Sequence, residues 1–252
     1  MSRSWRDKVI VITGASGGIG AALAHTVAER GANVVLVARR EAALRDVARA
    51  CGERAHLVVA DVTRREDVRR IVSEALARFG RIDVWVNNVG QGISRMPSQL
   101  TDQDVDDIVK VNVKSALYGM QEILPHFKER GEGHVINVSS MLGRVPFAVI
   151  RSAYNGAKHF LNALTANFRE EVQQTHPNIQ FTLISPGVVS TDFGLNARHG
   201  GPDSRALPNA QNADEVAAVI ADVIETRRPD VYTRSGARER IAKYYASVGE
   251  DP

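Results

Sequence analysis

A doubly wound α/β sheet, parallel throughout and covered by helices on both faces, is what this sequence predicts. Three observations carry that expectation. Seven short apolar runs alternate with longer helical stretches, and strands separated by helices are joined by crossovers and therefore run parallel. The runs are nearly unbroken in Val, Ile and Leu, as strands buried on both faces must be. The 252 residues hold no Pro/Gly/Ser-rich linker and no internal repeat, so one domain over 1–252 is expected.

In chain order the strands are KVIVIT at 8–13, NVVLVA at 33–38, HLVVA at 56–60, IDVWVN at 82–87, HVINVS at 134–139, IQFTLI at 179–184 and DVYT at 230–233. Between them 18–31, 41–50, 64–79, 101–130, 152–175 and 213–227 carry helical periodicity. Thr101 with Asp104 marks a helix start, and Gly31 and Gly80 stand where helices stop. The loosest stretch is about 190–212, with Gly200, Gly201, Pro202 and Pro208. An insertion of that length is expected to be a substrate loop.

Composition excludes several function classes. The net charge is +3, but bases alternate with acids, and even the cluster Arg64, Arg65, Arg69 and Arg70 is interrupted by Glu66 and Asp67. A solvated face is expected there, and no nucleic acid. Cys51 is the only cysteine and the histidines show no ligand spacing, so neither a disulfide framework nor a metal is expected. No apolar run reaches the roughly 18 to 20 residues that cross a bilayer. The start, MSRSWRDKVIVIT, lacks cleavage-type small residues; a cytoplasmic protein with no membrane partner is expected.

The first strand runs into TGASGGIG and then into a helix. That order brings backbone N–H groups and a positive helix terminus up to a pyrophosphate. A tight strand-to-helix turn alone would also ask for glycines, so the motifs that follow decide the reading. They are Asp61-Val62 after the third strand, Asn87-Asn88-Val89-Gly90 after the fourth, Asn112 in a helix, Ser140 after the fifth, Tyr154-x-x-x-Lys158, and Pro186-Gly187 after the sixth.

This order resembles the short-chain dehydrogenase/reductase family, in its compact Rossmann-type form, over nearly the whole chain. The resemblance implies a dinucleotide held by Gly14, Ser16, Gly18, Ile19, Gly20, Asp61, Val62, Asn88, Gly90, Tyr154, Lys158, Pro186, Gly187, Val188 and Thr191. Asp61 would meet the adenine, and Val188 and Thr191 the carboxamide. Val89 departs from the family's usual alanine. The second strand ends Ala38-Arg39-Arg40, with no carboxylate for a ribose hydroxyl and two guanidiniums for a 2′-phosphate, so NADP(H) is expected. Arg39 is the first choice of contact, with Ser16 as a hydroxyl partner; Arg40 faces either the phosphate or solvent.

Tyr154 and Lys158, four apart, share one helix face. An ammonium beside a phenol, together with an oxidised nicotinamide, favours the phenolate over the ordinary value of about 10. The resemblance makes Tyr154 the general acid/base, Lys158 its partner and a ribose contact, Ser140 the hydroxyl that holds the carbonyl, and Asn112 part of a water chain. Ser139 is the rival of Ser140. The separation of Ser140 from Tyr154 is one residue longer than usual in the family, and the extra residue falls around Phe147–Arg151.

The expected reaction is reversible NADPH-dependent reduction of a ketone or aldehyde. Its rivals are an NAD-linked alcohol dehydrogenase acting as an oxidant and a catalytically silent NADP-binding regulator; Arg39-Arg40 speaks against the first and the intact Ser-Tyr-Lys set against the second. The expected partner is a small carbonyl or alcohol substrate, in a cleft walled by residues near Gln91, Met141, Phe147, Val188 and Phe193. A homodimer through 101–130 and 152–175 is the default, as in relatives, with a tetramer the other arrangement.

Overall fold

Strand residues of alternating direction bury both faces of the sheet, and that alternation organises the core. In the computed structural model, which describes residues 5–249, the strands are β1 (Val9–Thr13), β2 (Asn33–Ala38), β3 (Ala55–Val59), β4 (Val84–Asn87), β5 (Gly133–Val138), β6 (Ile179–Ser185) and β7 (Asp230–Tyr232). They form one parallel sheet in the order β3-β2-β1-β4-β5-β6-β7. The helices are α1 (Gly18–Glu29), α2 (Glu41–Cys51), α3 (Arg65–Phe79), α4 (Asp102–Val109), α5 (Ser115–Arg130), α6 (Ser152–Gln173), α7 (Ala213–Thr226) and α8 (Ala237–Tyr245). The doubly wound α/β architecture is the one the sequence predicts.

On one face Ile10, Ile12, Leu36 and Ile184 pack against Leu23 and Val27 of α1, Leu44 of α2 and Ile220 of α7. Val9, Val11, Val35 and Trp85 on the other face meet Ile71 of α3, Ile123 and Phe127 of α5 and Val172 of α6. Each of these side chains is at most 2% exposed, and a fully buried Leu, Ile or Phe contributes roughly 1.5–3 kcal/mol. The two cores fix where the carboxyl ends of the strands come together. The direction of winding reverses between β1 and β4, and in open α/β sheets ligands bind at that crevice.

Two local features differ from the expectation. The stretch 101–130 is interrupted: after α4 the chain makes a five-residue π turn, Lys110–Lys114, before α5. Periodicity cannot show a single widened turn, because the apolar face resumes on the far side. The 190–212 loop is stitched down instead of loose. Ile93 pairs with Arg198 and Val189 with Gln211 as isolated bridges, and Ser190 N–H donates to Gln211 O at 2.8 Å.

Candidate active site

At the switch point, β1 leads into a turn whose first glycine, Gly14, has φ +69°. A Cβ added at Gly20 would lie 2.3 Å from Gly14 O and 2.7 Å from Asn88 Nδ2. Only glycine lets α1 approach the strand end this closely. Asn88 ties the neighbouring strand to the same turn: its Nδ2 donates to Thr13 O at 3.1 Å, and its N–H to Thr13 Oγ1 at 3.0 Å. Thr191 folds over from the opposite side, its Cγ2 3.1 Å from where a Cβ of Gly18 would be.

Of the two arginines after β2, Arg40 reaches the turn. Its Nε and Nη2 donate to Ser16 Oγ at 3.3 and 3.2 Å, and Nη2 also to Ser16 O at 3.2 Å. Arg39 is exposed as well. Asp61, at the end of β3, accepts from Thr63 N–H at 3.0 Å and from its hydroxyl at 2.9 Å. Val62 is buried, and Ile19 packs partly buried against the core. After β6, Pro186 is buried and Val188 exposed, while Arg234 props the segment by donating to Val188 O at 2.9 Å.

The first turns of α6 carry Tyr154 and Lys158, 6% and 2% exposed. Lys158 Nζ donates to Val138 O, the last residue of β5, at 3.0 Å, and stands 5.7 Å from the centroid of the Tyr154 ring. Burial pushes the Tyr154 phenol up to about 12, against the pull of the Ser140 hydroxyl and of the Arg151 guanidinium. Burial likewise pushes the Lys158 ammonium down to about 8. The expectation that the ammonium and an oxidised nicotinamide together favour the phenolate concerns the site with its cofactor; in the protein alone burial outweighs the neighbouring groups.

Ser140 and Ser139 separate cleanly. Ser139 Oγ is engaged with Asn162 Oδ1 at 2.5 Å, whereas Ser140 Oγ accepts from Leu142 N–H at 3.1 Å and pulls the Tyr154 phenol downward against burial. Asn112 sits in the π turn, 1% exposed. Its Nδ2 donates to Gln91 O at 2.9 Å and to Ile108 O at 3.0 Å, and its Oδ1 accepts from Gln91 N–H at 3.1 Å. Such widened turns recur at functional sites because they re-aim one side chain. Gly90 lies between Asn112 and the ammonium: a Cβ there would be 3.2 Å from Asn112 Oδ1 and 3.5 Å from Lys158 Nζ.

The loop after β6 completes the wall, with the Phe193 ring centroid 5.5 Å from that of Tyr154. Arg151 is the residue that the motifs leave out. Three positions before Tyr154 it shares that residue's helix face, a spacing that could have flagged it. Among the described residues no group of acidic, His or Cys side chains could hold a metal ion, and no helix is long and apolar enough to cross a membrane.

Comparison with known proteins gives a consistent picture. The family model of the short chain dehydrogenases matches residues 8–200. The uncharacterized oxidoreductase YxnA of Bacillus subtilis is 38% identical over 240 residues, covering 92% of this chain and 67% of that protein. A short-chain dehydrogenase/reductase from Burkholderia phymatum, solved in complex with NAD, superposes with a TM-score of 0.87 at 23% identity, covering 97% of both chains. A metagenomic short-chain oxidoreductase in complex with NADP is 31% identical with a TM-score of 0.74, covering 90% of this chain and 96% of the other.

Proposed function

Because the chain belongs to the short-chain dehydrogenase/reductase family, we propose that it is an NADP(H)-dependent oxidoreductase that reduces a ketone or aldehyde to an alcohol. The reverse oxidation uses the same groups. The observation that carries the reading is the buried set of Ser140, Tyr154 and Lys158 at the carboxyl ends of the strands, with Lys158 Nζ 5.7 Å from the Tyr154 ring.

The glycine turn fits a dinucleotide, since the space a Cβ of Gly20 would occupy is already filled by Gly14 O and the α1 terminus faces the same crevice. Gly14, Ser16, Gly18, Ile19 and Gly20 would hold its phosphates, Asp61 and Val62 the adenine side, Asn88 and Gly90 the middle. Tyr154, Lys158 and the segment Pro186, Gly187, Val188 and Thr191 would hold the nicotinamide end. Solved relatives hold either NAD or NADP; here the exposed Arg39 and the Arg40 guanidinium on Ser16 favour the 2′-phosphate. When bound, the cofactor supplies or accepts the hydride.

The protein's own part is proton transfer and orientation. The Ser140 hydroxyl and the Tyr154 O–H donate to the substrate carbonyl oxygen, and Tyr154 gives up its proton as that oxygen gains charge. Lys158 then faces the phenolate and offsets the cost of forming it in a dry site. Asn112 holds the Gln91 backbone and so shapes the floor beside Lys158. We read the chain as one cytoplasmic domain with 190–212 as its substrate loop, assembled as a homodimer through α5 and α6.

The test is spectrophotometric. NADPH and NADH oxidation over a panel of aldehydes and ketones should show turnover that prefers NADPH and falls about 10³-fold in Tyr154→Phe. Replacing both arginines with alanine should weaken NADPH binding about 30-fold or more and leave NADH nearly unchanged. Cofactor binding without turnover of any carbonyl or alcohol would overturn the enzymatic reading in favour of a silent regulator.

A further inference from the structure

We infer that this site takes carbonyl substrates that carry a carboxylate, and that Arg151 is the residue that binds it; the inference rests on the reductase reading above. Arg151 caps the start of α6, partly buried. Its side chain passes between two loops through gaps that only glycine leaves. A Cβ at Gly92 would lie 2.6 Å from Arg151 Nη1, and one at Gly201 2.9 Å from Nη2. The Gly92 position also meets Phe193 Cε1 at 3.1 Å, and Phe193 is the ring that lies against Tyr154. The guanidinium and the phenol thus border the same space.

Among the described residues no acid pairs with Arg151. Around the substrate loop, Arg95 meets Asp104 at 2.8 Å, Arg198 meets Asp107 at 2.7 Å, and Arg205 meets Asp203 at 2.8 Å and Asp192 at 3.1 Å. Arg151 makes one hydrogen bond among the described residues, Nη1 to Ile93 O at 3.0 Å, and no ion pair. A guanidinium has five donors and no acceptor, and with one spent on Ile93 O four remain to meet a ligand at the edge of this half-buried position. Burial weakens the hold on its proton, and the phenolate form of Tyr154 is the one group that strengthens it.

The Oγ of Ser94 adds a second unspent group. It is buried without a hydrogen-bond partner and lies 3.1 Å from the same point beside Gly201 that Arg151 Nη2 approaches. A planar fork of donors with an adjacent hydroxyl matches a carboxylate, which accepts two parallel N–H bonds. One unpaired cation balances one negative charge, which fits a monoanion better than a phosphate dianion.

The experiment compares γ-, δ- and ε-keto acids with their methyl esters as substrates of the full-length enzyme with NADPH. At the best chain length the wild type should favour the acid in kcat/KM, and Arg151→Met should cut that preference about 30- to 100-fold. The acid-to-ester ratio is the readout, since any effect of the lost guanidinium on the Tyr154 phenol falls on both substrates alike, and Arg151→Lys should retain an intermediate preference. An equal loss for acid and ester in Arg151→Met would make Arg151 a mere pin on Ile93 and overturn the inference, as would the absence of acid preference at every chain length. If the wild type reduces no carbonyl, the reductase reading has failed and binding decides alone. Valerate, but not methyl valerate, should then raise the melting temperature of wild type and not of Arg151→Met, and equal effects would overturn it.

Discussion

Lys158 is held by one protein acceptor, Val138 O at 3.0 Å, at a position 2% exposed, and its titration follows from that. Burial lowers its folded-state value from the ordinary 10.5 to about 8. Between those values the unfolded chain binds more protons than the folded one, so stability rises with pH across that window. Below about pH 8 the ammonium is charged in both states and its burial costs at most about 3 kcal/mol. Tyr154 acts oppositely and later: its value is raised to about 12, so the stability it lends is lost as pH climbs from the ordinary phenol range toward that figure. Urea denaturation of the cofactor-free protein should therefore show the wild type gaining stability between about pH 7.5 and 9.5. Lys158→Met should be inactive, more stable than wild type at neutral pH, and flat over the same interval. Parallel curves for the two proteins would mean that water or a counter-ion solvates the ammonium. Spacing together with position after the fifth strand singles out Tyr154 and Lys158, since both lie on one helix face. It does not show that Ser139 rather than Ser140 is tied to Asn162, nor which arginines meet an acid.

At the level of elements, the 190–212 loop is joined to α4 through two carboxylates, Asp107, which meets Arg198 at 2.7 Å, and Asp104 near the helix start. Asp104, 1% exposed, forms the capping box of α4 with Thr101 and accepts from His199 Nε2 at 2.7 Å and from Arg95 at 2.8 Å. The His199 imidazole, followed by Thr101 and Arg95, holds its carboxyl well below the usual carboxylate range. His199 itself has φ +60°, uncommon for a residue with a side chain, and the ion cluster is what keeps it there. Asp104→Asn should loosen this clasp while leaving the capping box largely intact, since the amide oxygen at the third helical position can still accept from Thr101 N–H. Amide exchange at 196–201 should speed up about tenfold. KM for the carbonyl should rise while NADPH affinity stays as it was. Unchanged exchange would show that the Ile93–Arg198 bridge suffices to hold the loop. The capping role is legible in Thr101-x-x-Asp104; the clasp is not, because His199 is 95 positions away and only the fold brings it to the acid. The π turn that aims Asn112 is equally silent in the sequence, since one widened turn leaves the apolar period on both sides intact.

For the whole molecule, the seven strands are legible because each is covered on both faces and so reads as an apolar run, while the strand order is not, since no strand's own residues name its neighbour. Surface use is the remaining question at this scale, and α6 poses it most directly. That helix turns Tyr154, Ala157, Lys158 and Leu161 into the protein, yet leaves the Phe160 ring 58% exposed. A large apolar side chain left in water on the helix that holds Tyr154 and Lys158 fits the proposed homodimer through α5 and α6. In a twofold interface each residue counts twice, so one substitution places two like charges in the same contact. Phe160→Glu should weaken self-association by about 100-fold or more, which sedimentation velocity would register as a shift from dimer to monomer at micromolar concentration. Because α6 also positions Tyr154 and Lys158, the monomer should melt earlier and turn over more slowly at an unchanged NADPH affinity. A wild type that sediments as a monomer, or a Phe160→Glu protein that stays dimeric, would move the interface elsewhere and leave the exposed ring as a feature of the substrate side.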